Sequence, residues 1–167
     1  MIKESGYNGA RIHQKIEDER YLFYCDMMGL LTWGEFPAAY EYSDDAVEKL
    51  TNEWMSVVRQ YYNHPSIITW VPFNESWGIP NVYDNVAQQN FTKSIYFLTK
   101  TFDPMRPVIT NDGWEHTISD IINKKENKDK KLSIKVLRDS KEMSLNVTPI
   151  YDIRSDIYRL GVWVKDD

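Results

Sequence analysis

The sequence predicts an α/β fold with a parallel sheet in residues 1–122, followed by a small antiparallel β tail. Two observations carry this prediction. From residue 6 to residue 113, short apolar runs alternate with long amphipathic stretches, which is the pattern of βα units. After residue 131, apolar residues recur at every second position instead, which is typical of half-buried strands. We therefore expect strands with crossover helices first, and strands joined by turns afterwards.

Four parallel strands and three helices are predicted in the first part. The apolar runs place the strands at residues 7–12, 30–33, 67–73 and 107–110. The first helix, 19–28, should end at Gly29, because glycine readily adopts the left-handed conformation that closes a helix. The second should begin after Ser43, a favourable N-cap, and end before the Asn63-His64-Pro65 turn. The third is predicted over residues 82–101, before Asp103-Pro104.

Composition divides the chain near residue 122. Residues 1–122 carry a net charge of −8 and 20 of the 23 aromatic residues, whereas residues 123–167 carry +3. Between them, residues 123–131 form a polar, lysine-rich stretch that is typical of a linker. The predicted organisation is a barrel-type domain at 1–122, a linker at 123–131 and a three-stranded segment at 132–167. Its strands are predicted at 132–136, 143–147 and 158–164, with turns at 139–140 and 154–156.

Several classes of function are disfavoured by composition. The net charge of −5 argues against nucleic-acid binding. There is no apolar run long enough to span a membrane and no basic-then-apolar leader after Met1, so a cytoplasmic location is expected. The single cysteine, Cys25, has no partner for an internal disulfide and no metal-ligand spacing around it. Neither a metal nor a cofactor is expected.

Polar side chains follow each of the four predicted strands. Parallel strands bring their carboxyl ends to one face, where barrels carry their active sites. We therefore expect these side chains to converge on one site. The clusters are Arg11 with His13, Glu35, Asn74 with Glu75, and Asn111-Asp112 with Trp114.

This chemistry suits the hydrolysis of glycosides, which uses one carboxyl group to protonate the leaving oxygen. Glu75 fits that role, because apolar surroundings of Trp70, Phe73 and Trp77 would favour the protonated form that a general acid needs. Asn74 could donate a hydrogen bond to the sugar 2-hydroxyl. Trp77 and Trp114 offer flat apolar faces to a sugar ring.

Four segments resemble the catalytic barrel of glycoside hydrolase family 2, which contains β-galactosidases and β-glucuronidases. They are GYNGARIH at 6–13, GLLTWGE at 29–35, NHPSIITWVPFNESWG at 63–78 and RPVITNDGWE at 106–115. The resemblance implies a partial (β/α)₈ TIM barrel of about four βα units in a retaining β-glycosidase. It further implies that Glu75 is the acid/base, that Asn74 contacts the 2-hydroxyl, and that Arg11, His13 and Glu35 support or line the sugar pocket. The implied partner is a terminal β-linked sugar.

The chain departs from that family in length. A whole barrel needs about 250 residues; the family begins one strand before Tyr7 and continues for three strands after residue 112. Its nucleophilic glutamate lies on the seventh strand, so we expect the nucleophile to be absent from this chain and the isolated chain to be inactive. Open sheet edges favour self-association of half-barrels.

The tail has a different resemblance. Residues 131–138 and 147–166 are similar to the end of the PDZ domain of the sporulation stage IV serine peptidase, which implies a natural fusion or an artefactual junction near residue 122. The alternative function is a non-catalytic carbohydrate- or peptide-binding module from a truncated or fused gene. Individual residues also keep alternatives: Arg11 as a structural ion-pair partner, Glu35 and Asp112 as ordinary acids, and Trp77 and Trp114 as core aromatics.

Overall fold

The structure, a computed structural model, describes residues 1–120 and the backbone of four strands between residues 132 and 159. Contacts within the chain group it into two compact units, Met1–Ile122 and Asn123–Asp167. The predicted linker at 123–131 and the predicted turns at 139–140 and 154–156 lie outside the described residues.

The first unit contains a parallel sheet with strand order β1-β2-β3, where β1 is Gly9–Ala10, β2 is Leu31–Glu35 and β3 is Ile67–Val71. Residues 107–111 extend this sheet beyond β3 through two isolated parallel bridges, Trp70 to Val108 and Phe73 to Asn111. The four segments therefore lie side by side in chain order, as successive units of a (β/α)₈ barrel do.

The first and fourth strands are shorter than the apolar runs that predicted them. β1 pairs over two residues only, after which the chain turns to reach Gln14, whose φ is 49°. In the fourth segment the backbone N–H of Val108 donates to the Asp120 carboxylate at 3.0 Å. This N–H lies on the edge away from β3, because the bridge to Trp70 uses the Pro107 carbonyl and the Ile109 N–H. Residues 107–111 pair with β3 only at the two isolated bridges and do not form a continuous ladder with it.

Three helices lie in the described part of this unit, and their ends follow local capping chemistry. They are α1 (Glu19–Met28), α2 (Asp44–Tyr61) and α3 (Val86–Phe102). α1 ends, as predicted, at Gly29 with φ 65°. The Ser43 side chain caps α2 by accepting from the Ala46 N–H at 3.1 Å. α3 begins four residues later than predicted, because Asn85 is its cap and the chain before it forms tight turns.

An aromatic core joins the helices to one face of the sheet. Trp54 on α2 packs edge-on against Trp70 on β3 with ring centroids 5.7 Å apart, and its indole N–H donates to Thr99 on α3 at 2.8 Å. Gly34 on β2 is required by the close approach of this core. A Cβ at that position would lie 2.5 Å from Cε3 of the fully buried Trp70.

A buried ion pair lies beside the same core. Asp103, directly after α3, accepts from the Trp70 indole at 2.8 Å and from the Arg106 guanidinium at 2.5 Å. Burial alone would raise the pKa of Asp103, but the hydrogen bonds from Trp70 and Arg106 lower that pKa below its ordinary value. Arg106 also donates to the carbonyls of Ile67 and His64, so this pair fixes the loop that enters β3.

Asp103→Asn is expected to remove part of the acid sensitivity of the fold. Because the folded-state pKa is lowered, the ionised carboxylate contributes stability that is present above its ordinary pKa of about 3.9 and is lost as the pH falls below it. The variant should be less stable by about 1.5–3 kcal/mol at pH 7, and the difference should shrink at pH 3. Urea unfolding at both pH values measures this. Asp45→Asn, on the exposed face of α2, should leave both midpoints near wild type, and an undiminished difference at pH 3 would contradict the assignment.

The second unit contains four strands in its described backbone. β4 (Leu132–Arg138) pairs antiparallel with β5 (Lys141–Val147), and β6 (Ile150–Asp152) pairs antiparallel with β7 (Ile157–Arg159). The sequence predicted three strands, and the additional one is β6. Three residues are too few to show an alternating pattern, so pairing with β7 is what defines this strand.

No helix in the described residues is long and apolar enough to cross a membrane. Within the same residues, no group of three or more His, Cys, Asp or Glu side chains is arranged to hold a metal ion.

Candidate active site

The four strand ends meet around one guanidinium group. Arg11, just after β1, donates through Nε and Nη2 to both carboxylate oxygens of Glu35 at 2.7 and 3.0 Å. Its Nη2 also donates to Oδ1 of Asn74 at 2.6 Å and lies 2.5 Å from Oδ2 of Asp112. One side chain therefore joins the end of β1 to those of β2, β3 and the fourth segment. The convergence predicted from the strand ends is confirmed for these residues.

Burial and neighbouring charges both shift the pKa values of Arg11 and Asp112. Glu35 has no exposed side-chain surface, whereas 37% of the Arg11 side chain is exposed. Burial alone would lower the pKa of Arg11, but its hydrogen bond to Glu35 and the nearby Asp112 carboxylate raise that pKa above its ordinary value. Burial raises the pKa of Asp112, although the Glu75 N–H and Arg11 oppose this effect. Arg11 is therefore always charged at this site.

Glu35 is held by a second donor that sequence reasoning missed. The backbone N–H of Gln14 donates to Glu35 Oε1 at 2.8 Å, and Gln14 adopts the left-handed region with φ 49°. Glutamine carries no sequence signal for such a conformation, which asparagine and glycine favour. Both carboxylate oxygens of Glu35 are therefore hydrogen-bonded to other residues of the protein.

Glu75 differs from the other strand-end carboxylates. It is exposed, and its carboxylate makes no hydrogen bond or ion pair within the described residues. The predicted apolar setting does not shield Glu75: Trp70 and Phe73 are fully buried in the core, and Trp77 is 47% exposed. Phe73 packs against Phe91 on α3, with ring centroids 5.4 Å apart. Glu75 is thus a free carboxylate beside a fixed polar cluster.

A tight turn carries Glu75. The Trp77 N–H donates to the Asn74 carbonyl at 2.9 Å, and the two central residues, Glu75 and Ser76, have φ values of 49° and 62°. Two positive φ values in succession are typical of a type I′ turn, which normally contains Asn, Asp or Gly. For other residues the left-handed region costs about 1–2 kcal/mol each, so the surroundings must hold this turn in place.

Asn74 presents an unused donor beside this turn. Its side chain is fully buried, and its Oδ1 accepts from Arg11, which orients the amide. Its Nδ2 is buried and has no hydrogen-bond acceptor among the described residues. A buried donor without a partner is energetically unfavourable, and it suits a site where a ligand oxygen supplies the acceptor.

Within the described residues, the side chains of the remaining predicted residues, His13, Trp77 and Trp114, make no hydrogen bond or ion pair to the Arg11 cluster. His13 is exposed, and its Nε2 lies 3.4 Å from the Gln14 side-chain amide. Trp77 is 47% exposed and packs edge-on against Tyr40. Trp114 is 64% exposed. Both indoles thus keep accessible surface, as a sugar platform requires.

Asn111 was predicted to lie among the strand-end residues, but the sequence indicated no role for it. Its amide contacts Ser76 and Glu115, which ties the end of the fourth segment to the turn that carries Glu75. Its position beside Asp112 and its residue type were the available signals, because asparagine side chains often bond to nearby backbone groups.

Comparison with known proteins identifies a family model that matches this chain. Residues 1–146 match the family model described as "Glycosyl hydrolases family 2, TIM barrel domain". This match extends beyond the boundary predicted near residue 122, into the second unit.

Curated relatives match between 57% and 73% of the chain. A β-galactosidase of Leuconostoc mesenteroides subsp. mesenteroides is 32% identical over 132 residues, which cover 73% of this chain and 12% of the relative. A β-glucuronidase of Bacteroides fragilis is 31% identical over 116 residues, which cover 64% and 16%. A Bos taurus β-mannosidase is 28% identical over 110 residues, which cover 57% and 12%.

Solved structures share the fold. A Bacteroides uniformis β-glucuronidase covalently bound to cyclophellitol-6-carboxylate aziridine has a TM-score of 0.54 and 28% identity, covering 64% of this chain and 14% of that chain. The chain therefore spans less than a fifth of the length of the relatives it matches.

Proposed function

The chain belongs to glycosyl hydrolase family 2, and we propose that its first unit is part of a retaining β-glycosidase barrel in which Glu75 is the general acid/base. The observation that carries this proposal is the difference between the strand-end carboxylates. Glu35 is fully buried, with both oxygens bonded to Arg11 or Gln14. Both oxygens of Asp112 are also engaged. Glu75 alone among these three is exposed with its carboxylate unpaired, so it is the one that can reach a substrate.

The proposed chemistry has two steps. Glu75 first protonates the leaving glycosidic oxygen while a second carboxylate, about 5–5.5 Å away in retaining enzymes, attacks the anomeric carbon. Glu75 then removes a proton from the water that releases the sugar. The covalent complex of the B. uniformis relative supports a mechanism with a protein nucleophile. We infer that residues outside this chain supply that nucleophile.

Substrate binding is assigned to the groups around Glu75. The free Nδ2 of Asn74 supports a hydrogen bond to the sugar 2-hydroxyl, and Arg11 orients that amide from the other side. Glu35 keeps Arg11 in place. The exposed indoles of Trp77 and Trp114 support a role as ring platforms, and His13 is proposed to line the pocket. The names of the relatives make terminal β-linked glucuronides, galactosides and mannosides the substrates to test.

Affinity labelling tests the role of Glu75. In an N-bromoacetyl β-glycosylamine, the reactive carbon occupies the leaving-group side of the sugar, so the Glu75 carboxylate would displace bromide and form an ester. We expect peptide mapping to find the adduct on Glu75, competed by free sugar and absent in Glu75→Gln. The exposed Glu53 of α2 is an internal control. Equal labelling of Glu75 and Glu53 would contradict the proposal.

Hydrolysis provides a separate prediction. We expect the purified chain to release no chromophore from aryl β-glucuronides, β-galactosides or β-mannosides above the level of Glu75→Gln, since one carboxylate of the pair is missing. Turnover that disappears in Glu75→Gln would show that this chain or its own copy supplies the second carboxylate. The assignment of the nucleophile to other residues would then be wrong.

Self-association of half-barrels is proposed on the basis of exposed apolar surface. Phe23, Tyr24 and Met27 of α1 are each more than half exposed, and a face of this kind is covered by a neighbouring helix in a closed barrel. Light scattering of the chain and of a Phe23→Ser/Met27→Ser variant tests this, with a dimer expected for the first and a monomer for the second. A monomeric wild-type chain would contradict it.

The similarity of residues 131–166 to the end of a PDZ domain stays a prediction, as does the cytoplasmic location. The described backbone strands of the second unit are compatible with many β folds. Peptide binding is therefore the weaker alternative to glycoside chemistry.

A further inference from the structure

We propose that residues Asn111, Asp112 and Gly113 form a clamp that positions Glu75 by holding its backbone in the left-handed conformation. The inference rests on the proposed role of Glu75 and adds three positioning residues to it. Asn111 and Asp112 were both expected at the strand ends, but only Asp112 was given a role, as a residue of the sugar pocket.

The turn that carries Glu75 depends on contacts from outside itself. Its single closing hydrogen bond, from Trp77 to Asn74, is shared by turns of any type, and neither Glu75 nor Ser76 favours a positive φ. The backbone N–H groups of both central residues point to the end of the fourth segment. Glu75 N–H donates to Asp112 Oδ1 at 2.9 Å, and Ser76 N–H donates to Asn111 Oδ1 at 2.9 Å.

All hydrogen-bonding groups of the Asn111 side-chain amide are occupied. It is 2% exposed, and its Oδ1 accepts from Gly113 N–H as well as from Ser76 N–H. Its Nδ2 donates to the Ser76 hydroxyl and to the Glu115 carbonyl, both at 2.9 Å. The amide thus binds Ser76 at two points and its own loop at two more. No bonding capacity is left on it for a ligand.

Asp112 and Gly113 complete the clamp. Asp112 Oδ2 is bound to Arg11, so the carboxylate that holds Glu75 N–H is itself held, and it offers no free oxygen to a sugar. Gly113 lies against the turn: a Cβ there would be 3.0 Å from Glu75 Cα and 3.1 Å from its carbonyl carbon. A side chain at residue 113 would displace the backbone from which the Glu75 carboxylate projects.

The clamp matters because the φ of Glu75 and Ser76 sets the direction of the Glu75 side chain. If the turn relaxed to right-handed values, the carboxylate would leave the position where it can reach the reacting oxygen. A misplacement of about 1 Å can reduce a rate by about 100-fold. The clamp residues therefore act through Glu75 and do not themselves touch substrate.

A rescue experiment tests this. Asn111→Ala is expected to lower the rate of Glu75 labelling by an N-bromoacetyl β-glycosylamine, relative to labelling by bromoacetamide, by about 10- to 100-fold. Adding Ser76→Gly should restore most of it, because glycine adopts positive φ without steric cost. Gly113→Ala should resemble Asn111→Ala, because its Cβ would crowd the Glu75 backbone. Thermal melting shows that each variant is folded.

A second readout separates the clamp from the proposed function. The ¹³Cα and ¹³Cβ NMR shifts of Glu75 report the sign of its φ. We expect them to lose left-handed values in Asn111→Ala and to regain them when Ser76→Gly is added. Left-handed shifts that persist in folded Asn111→Ala and Gly113→Ala would overturn the clamp. If wild-type Glu75 is not labelled by the sugar reagent but the shifts behave as expected, the clamp stands and the proposed function fails.

Discussion

Replacing Arg11 with alanine is expected to lower the free energy of unfolding by about 2–3 kcal/mol, less than the roughly 3–5 kcal/mol for breaking a fully buried ion pair. The reason is Glu35, which has no exposed side-chain surface and would lose the guanidinium that contacts both of its oxygens. The loss falls short of the full range because Arg11 is 37% exposed and water can enter the space it leaves. Urea unfolding at pH 7 measures it.

A double-mutant cycle identifies the cause of that loss. Glu35→Gln removes the charge but keeps the shape and an acceptor for Gln14 N–H, so the Arg11→Ala/Glu35→Gln variant should be more stable than Arg11→Ala alone. Arg11→Lys should recover little, since an ammonium group cannot bond to both carboxylate oxygens and to Asn74 at once. If Arg11→Ala unfolds at the wild-type urea midpoint, the guanidinium acts as a surface group, and the Arg11 cluster does not hold the strand ends together.

The parts of the fold that the sequence predicted well depend on local chemistry. The end of α1 at Gly29 and the start of α2 at Ser43 follow from capping, which involves residues within a few positions of each other. The start of α3 was misplaced because Gln88 reaches back to the Asn81 N–H at 2.8 Å, which stabilises turns where a helix was predicted. The extent of β1 and of the fourth segment depends on pairing between strands that lie far apart in sequence.

The candidate site, too, could be predicted from the sequence only in part. Its convergence followed from the placement of polar residues after strands, a rule that needs no coordinates. The exposure of Glu75 did not follow, because Trp70 and Phe73 flank it in sequence but are buried in the core. The left-handed conformations of Gln14 and Ser76 were also unpredictable, since tertiary hydrogen bonds impose them on residue types that do not favour them.

Trp54→Ala is expected to lower the free energy of unfolding by about 3–5 kcal/mol, the range for truncating a buried tryptophan. Trp54 is fully buried and joins three elements: it packs edge-on against Trp70 on β3 and Phe36 after β2, and its indole N–H bonds to Thr99 on α3. Its removal would leave a cavity between the helices and the sheet. Much of the stability of the first unit is expected to be lost. Urea unfolding followed by circular dichroism measures this loss.

Trp54→Phe separates packing from hydrogen bonding in that core. Phenylalanine keeps an aromatic ring between Trp70 and Phe36 but cannot donate to Thr99, whose hydroxyl still donates to the Ile95 carbonyl at 2.7 Å. Because that hydroxyl keeps a partner, the lost bond should cost only about 0.5–1.5 kcal/mol, with a further contribution from the smaller ring. If Trp54→Phe is as damaging as Trp54→Ala, the indole hydrogen bond, rather than the packing of α2 on the sheet, holds this side of the half-barrel together.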